Sequence, residues 1–208
     1  MIKVNPQWVP KEPFYVCVSS GIDSIAAAHW LKHHYHKKFT IIHFNHSVQP
    51  INDKMEELVT QFCEDFNIID YVVVTRKDVY NDELSEDGLR QFRLRNMNDL
   101  GGKFVTGHHL NDCVENYLAN CFKGCPEYKP IKEFSQFDGF SIYHPFLGTT
   151  KQEFINYAKA NDLMKYVVED PTNKEVSQKR NWLRNVIIPE LNERELGIET
   201  VVRKKFYS

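Results

Sequence analysis

The sequence predicts an α/β protein built on a doubly wound, mainly parallel sheet flanked by helices, with a short helical extension at its C-terminal end. Three observations carry that expectation. Four short runs rich in β-branched and aromatic residues (Phe14 to Val18, Phe39 to His43, Tyr71 to Val74 and Phe104 to Thr106) are apolar without alternation, as strands buried on both faces are. The segments between them repeat apolar residues at helical spacing. Strand and helix therefore alternate along the chain, the pattern from which parallel sheets are wound.

The first run leads into Ile25-Ala26-Ala27-Ala28-His29-Trp30-Leu31, an apolar helix, and the second into Ile51, Met55, Leu58, Val59, Phe62 and Phe66, a stripe at periods of three and four. Around Leu89 to Leu94 a further helix carries Arg90 and Arg93 on its polar edge. After the fourth run, Leu110, Cys113, Val114, Tyr117, Leu118 and Cys121 repeat the helical stripe. Periodicity weakens from Lys129 to Phe140, an excursion before a strand near Ser141 to His144, and a helix follows from Lys151 to Asn161. Residues 1–150 are expected to form the core, and 151–208 a helical C-terminal part of the same domain.

Composition narrows the function classes. The chain has 208 residues, 26% of them charged, and a net charge of -2, which suits one soluble domain. No stretch approaches the ~18 unbroken apolar residues of a membrane helix, so the expected location is the cytosol, with no membrane partner. A near-neutral balance argues against coating nucleic acid, which needs a large excess of Lys and Arg. The charge is uneven, however: Lys174 to Ser208 carries a net +3, leaving -5 on the preceding residues. Cys17, Cys63, Cys113, Cys121 and Cys125 contain no C-x-x-C pair, which points to reduced thiols and to neither zinc nor an iron–sulfur cluster.

In doubly wound sheets ligands bind beyond the carboxyl ends of the strands. There the sequence places Ser19-Ser20-Gly21-Ile22-Asp23-Ser24, then Asn45-His46-Ser47, then Gly107-His108-His109. The first turn offers backbone N–H groups, hydroxyls and a helix N-terminus to one anion, so phosphate or pyrophosphate suits it. Asp23 beside a polyphosphate is sensible when Mg²⁺ lies between them. A capped helix start, with Ser19 or Ser20 satisfying free N–H groups, is the structural alternative. Neither G-x-x-x-x-G-K-[ST] nor G-x-G-x-x-G occurs, which excludes the Walker and Rossmann cradles.

The loop resembles the S-G-G-x-D-S loop of the PP-loop, or N-type, ATP pyrophosphatases, and the chain as a whole resembles their tRNA(Ile)-lysidine synthetase branch. The later signatures come in order: His43-Phe44-Asn45-His46, Leu89 to Leu94, Thr106 to Glu115 as T-G-H-H-x-x-D-x-x-E, Glu169 to Asn173 as E-D-P-T-N, and Arg180 to Pro189 as R-N-x-x-R-x-x-I-I-P. The resemblance runs from about residue 14 to 191 and reaches only the catalytic domain of that branch. Ser20 stands where the family loop has the first of its two glycines, and Asn111 where it usually has the first Asp of a D-D pair.

The resemblance implies ATP and Mg²⁺ as cofactors, and tRNA with a CAU anticodon and free L-lysine as partners. It implies adenylation of a cytidine carbonyl followed by attack of the lysine amine, with AMP and pyrophosphate released. ATP would be held by Ser19, Ser20, Gly21, Ile22, Asp23, Ser24, His43, Asn45, Gly107 and His108, with Asp23 on the metal. Asp112 and Glu115, three apart on one helix face, would hold the lysine amine. Asp23, Arg90, Asp112, Glu115 and Arg180 form the catalytic set, and Arg93, Arg184, Arg203, Lys204 and Lys205 contact tRNA or phosphate. Alternatives stay open: a solvated face for the carboxylates, a structural cap for the arginines, an ATP-dependent enzyme acting on another carbonyl, or a nucleotide- or RNA-binding module without catalysis.

Overall fold

A computed structural model describes residues 1–11, 13–35, 38–76, 85–168, 179–194 and 196–207. Six strands form one sheet in the order β3-β2-β1-β4-β6-β5: β1 (Phe14–Cys17), β2 (Phe39–Asn45), β3 (Tyr71–Thr75), β4 (Gly102–Val105), β5 (Phe134–Gln136) and β6 (Phe140–Tyr143). All neighbours pair parallel except β5, which runs antiparallel to β6 at the edge. The helices are α1 (Ile22–His34), α2 (Pro50–Asp65), α3 (Glu86–Leu100), α4 (Leu110–Phe122), α5 (Lys151–Ala160), α6 (Lys179–Trp182), α7 (Ile188–Glu193) and α8 (Ile198–Phe206). Among the described residues no helix is long and apolar enough to cross a membrane.

Adjacent residues of the central strands feed different cores, because side chains alternate across a sheet. Val16, Ile41 and Val105 join α1, α2 and α5 on one face with Ile25, Phe62, Phe154 and Tyr166. Ile42 and Phe104 point the other way, toward Met97 of α3 and Phe140. A third cluster packs Leu110, Cys113 and Val114 of α4 against Leu147, Ile188 and Val202. Helix α1 buries Ile25 to His29 and Leu31, and its alanines let α5 approach closely.

Two sequence expectations change. Tyr71 and Val72 are exposed, because β3 has one strand neighbour and lies at the sheet edge; apolarity without alternation did not mean burial on both faces there. Within the 129–140 excursion lies β5, whose three residues are too few to display a period of two.

The C-terminal part contains an irregularity with a local cause. Residues Leu183–Ile187 form a π-helical turn, with the Ile188 N–H donating to the Leu183 carbonyl. Pro189, in the first turn of α7, has no N–H to give the Asn185 carbonyl, so the ordinary α register cannot run through this point. Glu169 to Asn173, including Asp170 and Asn173 of the E-D-P-T-N signature, lie outside the described residues.

Candidate active site at the carboxyl ends of the strands

The strand order reverses at β1, whose parallel neighbours β2 and β4 lie on either side. The crevice at such a switch point is where this architecture binds ligands, and the loops after β1 and β4 meet there. A Cβ on Gly107 would sit 3.2 Å from the backbone carbon and oxygen of Asp23, so the close approach of the two loops leaves a side chain there too little room unless the Asp23 backbone gives by a few tenths of an ångström.

The loop after β1 is held from within. Ser24 Oγ accepts the Ser19 N–H at 3.1 Å and donates to the Gly21 carbonyl at 2.9 Å. Ser20 adopts a left-handed conformation with φ of 57°, the region where glycine is at ease and other residues are strained. That explains a glycine at the corresponding family position. Here the buried hydroxyl of Ser20 donates to the Tyr166 carbonyl at 2.6 Å, while the Ser20 carbonyl accepts the Val168 N–H at 3.0 Å. The hydroxyl thus turns away from the loop mouth. Neither Ser19 nor Ser20 caps α1, whose N-cap Gly21 has no side-chain cap, so the capped-start alternative is not what the structure adopts.

Asp23 faces two cations. Lys151 Nζ, at the start of α5, donates to both carboxylate oxygens at 2.8 and 2.7 Å, and His109 Nε2 lies 3.5 Å away. Burial opposes the Asp23 charge, but His109 and then Lys151 outweigh it and hold the carboxyl below its usual range. One carboxylate together with substrate phosphates is an ordinary donor set for Mg²⁺. Asp23 fits that role, with Lys151 as the cation the metal would meet. Among the described residues no group of three or more His, Cys, Asp or Glu side chains converges as a self-sufficient metal site.

At the start of α4 a capping box forms: Asp112 Oδ2 accepts the His109 N–H at 3.0 Å, and His109 Nδ1 accepts the Asn111 N–H at 3.2 Å. Burial works against a charge on His109, yet the flanking Asp112 and Asp23 carboxylates raise its pKa. Asp112 is pushed the opposite way: burial alone would raise it, but His109, His108 and Arg180 keep it ionised. The Thr106 hydroxyl lies 2.7 Å from Nδ1 of both His108 and His144. A hydroxyl has one proton, so it donates to one imidazole and accepts from the other. Burial lowers the pKa of both rings, that of His144 to about 3.

Asp112 and Glu115 do share a face of α4, but both are buried, so the solvated-face alternative fails. Arg180 Nε donates to Glu115 Oε2 at 2.8 Å, and Arg184 donates to both Glu115 oxygens at 2.7 and 3.0 Å. Asp112 Oδ1 takes Arg180 Nη2 at 3.2 Å and lies 3.5 Å from Arg184 Nη2. The Glu115 side chain is 3% exposed, whereas those of Arg180 and Arg184 are 42% and 36% exposed. Two buried carboxylates are thus paired with arginines that reach solvent.

Around β2, His43 donates from Nδ1 to the Val18 carbonyl at 2.8 Å, which leaves buried Nε2 as a lone-pair acceptor without a partner among the described residues. Asn45 is taken up locally: its amide donates to Glu56 at 2.6 Å and its oxygen accepts the Ser47 N–H at 2.8 Å. Arg90 and Arg93 are both exposed on α3; the charge of Arg93 reaches His46 and His108, helping burial to depress both imidazoles. Arg203, Lys204 and Lys205 occupy the last turn of α8, away from the loop. Sequence reasoning missed Lys151, Thr106 and His144, whose roles arise only from the meeting of distant segments.

A strand-to-helix turn at the switch point of a doubly wound sheet, with an acidic side chain at the helix start, is the place where this class of fold holds its ligands. The chain belongs to the PP-loop domain family, whose profile matches residues 2–191. It is 29% identical over 198 residues to the tRNA(Ile)-lysidine synthase of Staphylococcus epidermidis, covering 89% of this chain and 45% of that protein. It is also 29% identical over 196 residues to that of Exiguobacterium sibiricum, covering 92% and 46%. The chain therefore spans about half the length of the curated relatives it matches. In fold it is similar to the U34-tRNA thiolase NcsA from Methanococcus maripaludis, with a TM-score of 0.76, 16% identity and coverage of 97% of this chain and 74% of that one.

Proposed function

We propose that this chain carries the catalytic domain of an ATP-dependent ligase that joins free L-lysine to the wobble cytidine of a tRNA with a CAU anticodon. The observation that carries the reading is the arrangement at the switch point: an uncapped anion turn beside a buried Asp112–Glu115 pair neutralised by Arg180 and Arg184. Similarity to two lysidine synthases over most of the chain supports it.

In the first step the cytosine 2-carbonyl oxygen attacks the α-phosphorus of ATP, and pyrophosphate leaves. The turn from Ser19 to Ser24 receives the leaving pyrophosphate through backbone N–H groups and the α1 dipole, which stabilise charge where it develops. Asp23 would hold Mg²⁺, which neutralises phosphate charge when bound. His43 Nε2, an acceptor with no partner among the described residues, suits an exocyclic N–H of the nucleotide base, and Gly107 and His108 form the opposite wall.

In the second step the ε-amine of lysine attacks C2 of the adenylated base, and AMP leaves. Lysine arrives as an ammonium with a pKa near ~10.4, so it needs an anionic berth and a route for its proton. Asp112 and Glu115 supply the berth, Arg180 and Arg184 turn toward phosphate as the ammonium takes their place, and the ammonium gives its proton to the solvent that reaches these arginines before the free amine attacks. Arg90, Arg93, Arg203, Lys204 and Lys205 are assigned to the polynucleotide. Residues 151–208 function with the core, because Lys151, Arg180 and Arg184 complete the site.

Incubating the protein with ATP, labelled lysine and the CAU tRNA tests the reading, with transfer of label to RNA the expected result. Pyrophosphate exchange without label transfer would mean that the acceptor or the amine is different, and absence of both would overturn the reading.

A further inference from the structure

The sequence-derived tRNA contacts end at the basic last turn of α8, and that turn packs on the segment between two exposed aromatic rings. Phe122, at the end of α4, is 58% exposed, and Tyr128 is 61% exposed. They sit at the same end of α4 because the intervening turn folds back: the Cys125 N–H donates to the Asn120 carbonyl at 2.9 Å, and the Tyr128 N–H to the Cys125 carbonyl at 3.2 Å. The C-terminus of α8 closes on this turn. Lys205 Nζ donates to the Pro126 carbonyl at 2.8 Å and lies 5.4 Å from the Tyr117 ring centroid, and Tyr207 donates to the Ile131 carbonyl at 2.7 Å.

Cations interleave with these rings. Lys179 Nζ lies 5.7 Å from the Phe122 ring and Lys129 Nζ 5.1 Å from that of Tyr207. Lys129 is neutralised by Glu133 at 2.6 Å, but Lys179 beside the Phe122 ring and Lys123, the next residue after Phe122, are exposed. Exposed aromatic faces with lysines beside them match single-stranded nucleic acid, whose bases stack on rings while its phosphates meet cations. Protein interfaces are depleted of lysine, and a duplex hides its bases within its own stack.

The patch also joins the proposed site. Lys179 at Phe122 and Arg180 at Glu115 are consecutive residues of α6. Phe122 follows Glu115 by seven residues on α4, which places it ~10 Å along the helix axis. We infer that Phe122 and Tyr128, with Lys123 and Lys179, form a stacking platform for unpaired RNA bases flanking the reacting nucleotide. The inference rests on the RNA-modifying reading of the adjoining site. It assigns loop binding to a face outside the strand-end crevice and to residues outside the family motifs.

The test measures binding without ATP or lysine, so it is separable from catalysis. A fluorescent RNA hairpin with an unpaired CAU-containing loop is titrated against the intact chain, its Phe122→Ala and Tyr128→Ala variants, and Lys179→Gln. Each ring deletion is expected to weaken hairpin binding about five- to tenfold, the lower part of the stacking range. Lys179→Gln should flatten the salt dependence by ~0.7 in log–log slope. A blunt duplex of the same stem should bind more weakly and ignore both ring deletions. Both rings are exposed, so thermal melting should show intact folds.

The inference is overturned if the variants bind the hairpin as the parent does, if the duplex binds equally well, or if the deletions abolish only self-association. Failure of lysine transfer with ring-dependent hairpin binding would sink the proposed reaction and leave the platform standing. Lysine transfer with ring-independent binding would do the reverse.

Discussion

Replacing Glu115 with Gln isolates the network that ties α6 and its π-helical turn to α4. Glu115 accepts three arginine N–H bonds at 2.7, 2.8 and 3.0 Å. Gln keeps the shape but turns one acceptor oxygen into a donor facing a guanidinium. Breaking a fully buried pair costs ~3–5 kcal/mol, but Arg180 and Arg184 are 42% and 36% exposed, so water recovers part of the loss. We take ~2 kcal/mol, within the range for hydrogen bonds to charged groups. For a chain of this size that lowers Tm by ~4–8 °C. Thermal unfolding followed by circular dichroism reads it, and a double-mutant cycle with Arg184→Gln should give a coupling above ~0.5 kcal/mol. A Tm change under ~1 °C with no coupling would refute the network as a structural tie.

Ser20→Gly should change stability by less than ~1 kcal/mol, because relief of left-handed strain is offset by the lost bond to the Tyr166 carbonyl and by a more flexible unfolded chain; urea unfolding at constant m checks it. Gly107→Ala should cost ~1–3 kcal/mol and weaken nucleotide binding, since its Cβ meets Asp23 backbone at 3.2 Å; calorimetry with ATP reads both. His109 has a raised pKa, so its stabilising contribution is full below its unfolded value near ~6.5 and disappears as pH rises through the folded value. His29, His46 and His144, driven down mainly by burial to about 4, 4 and 3, act oppositely and lose stabilisation as pH falls. The difference in Tm between the parent and His109→Asn should therefore shrink from pH 6 to pH 9, and a constant difference would contradict the assignment.

Much of the architecture was legible because burial writes itself into local pattern. The runs Phe14 to Val18 and Phe39 to His43 and the stripe from Leu110 to Cys121 declare strands and helix through spacing alone. Asp112 and Glu115 were recognisable as neighbours for the same reason, three apart on a helix. What reading by spacing could not supply was their surroundings: the arginines that neutralise them lie about seventy residues further on. Apolarity misled at Tyr71 and Val72, since the same run suits a central strand and an edge.

The sequence by itself determined the alternation of strand and helix and the family, because these depend on residue type and short-range spacing. Only the tertiary structure decided that Lys151 grips Asp23, that Thr106 links His108 to His144, and that Ser20 can occupy a glycine conformation through the Tyr166 carbonyl. Those contacts join segments up to 146 residues apart. Their energies depend on distance and burial, which exist only once the sheet has brought its strand ends together.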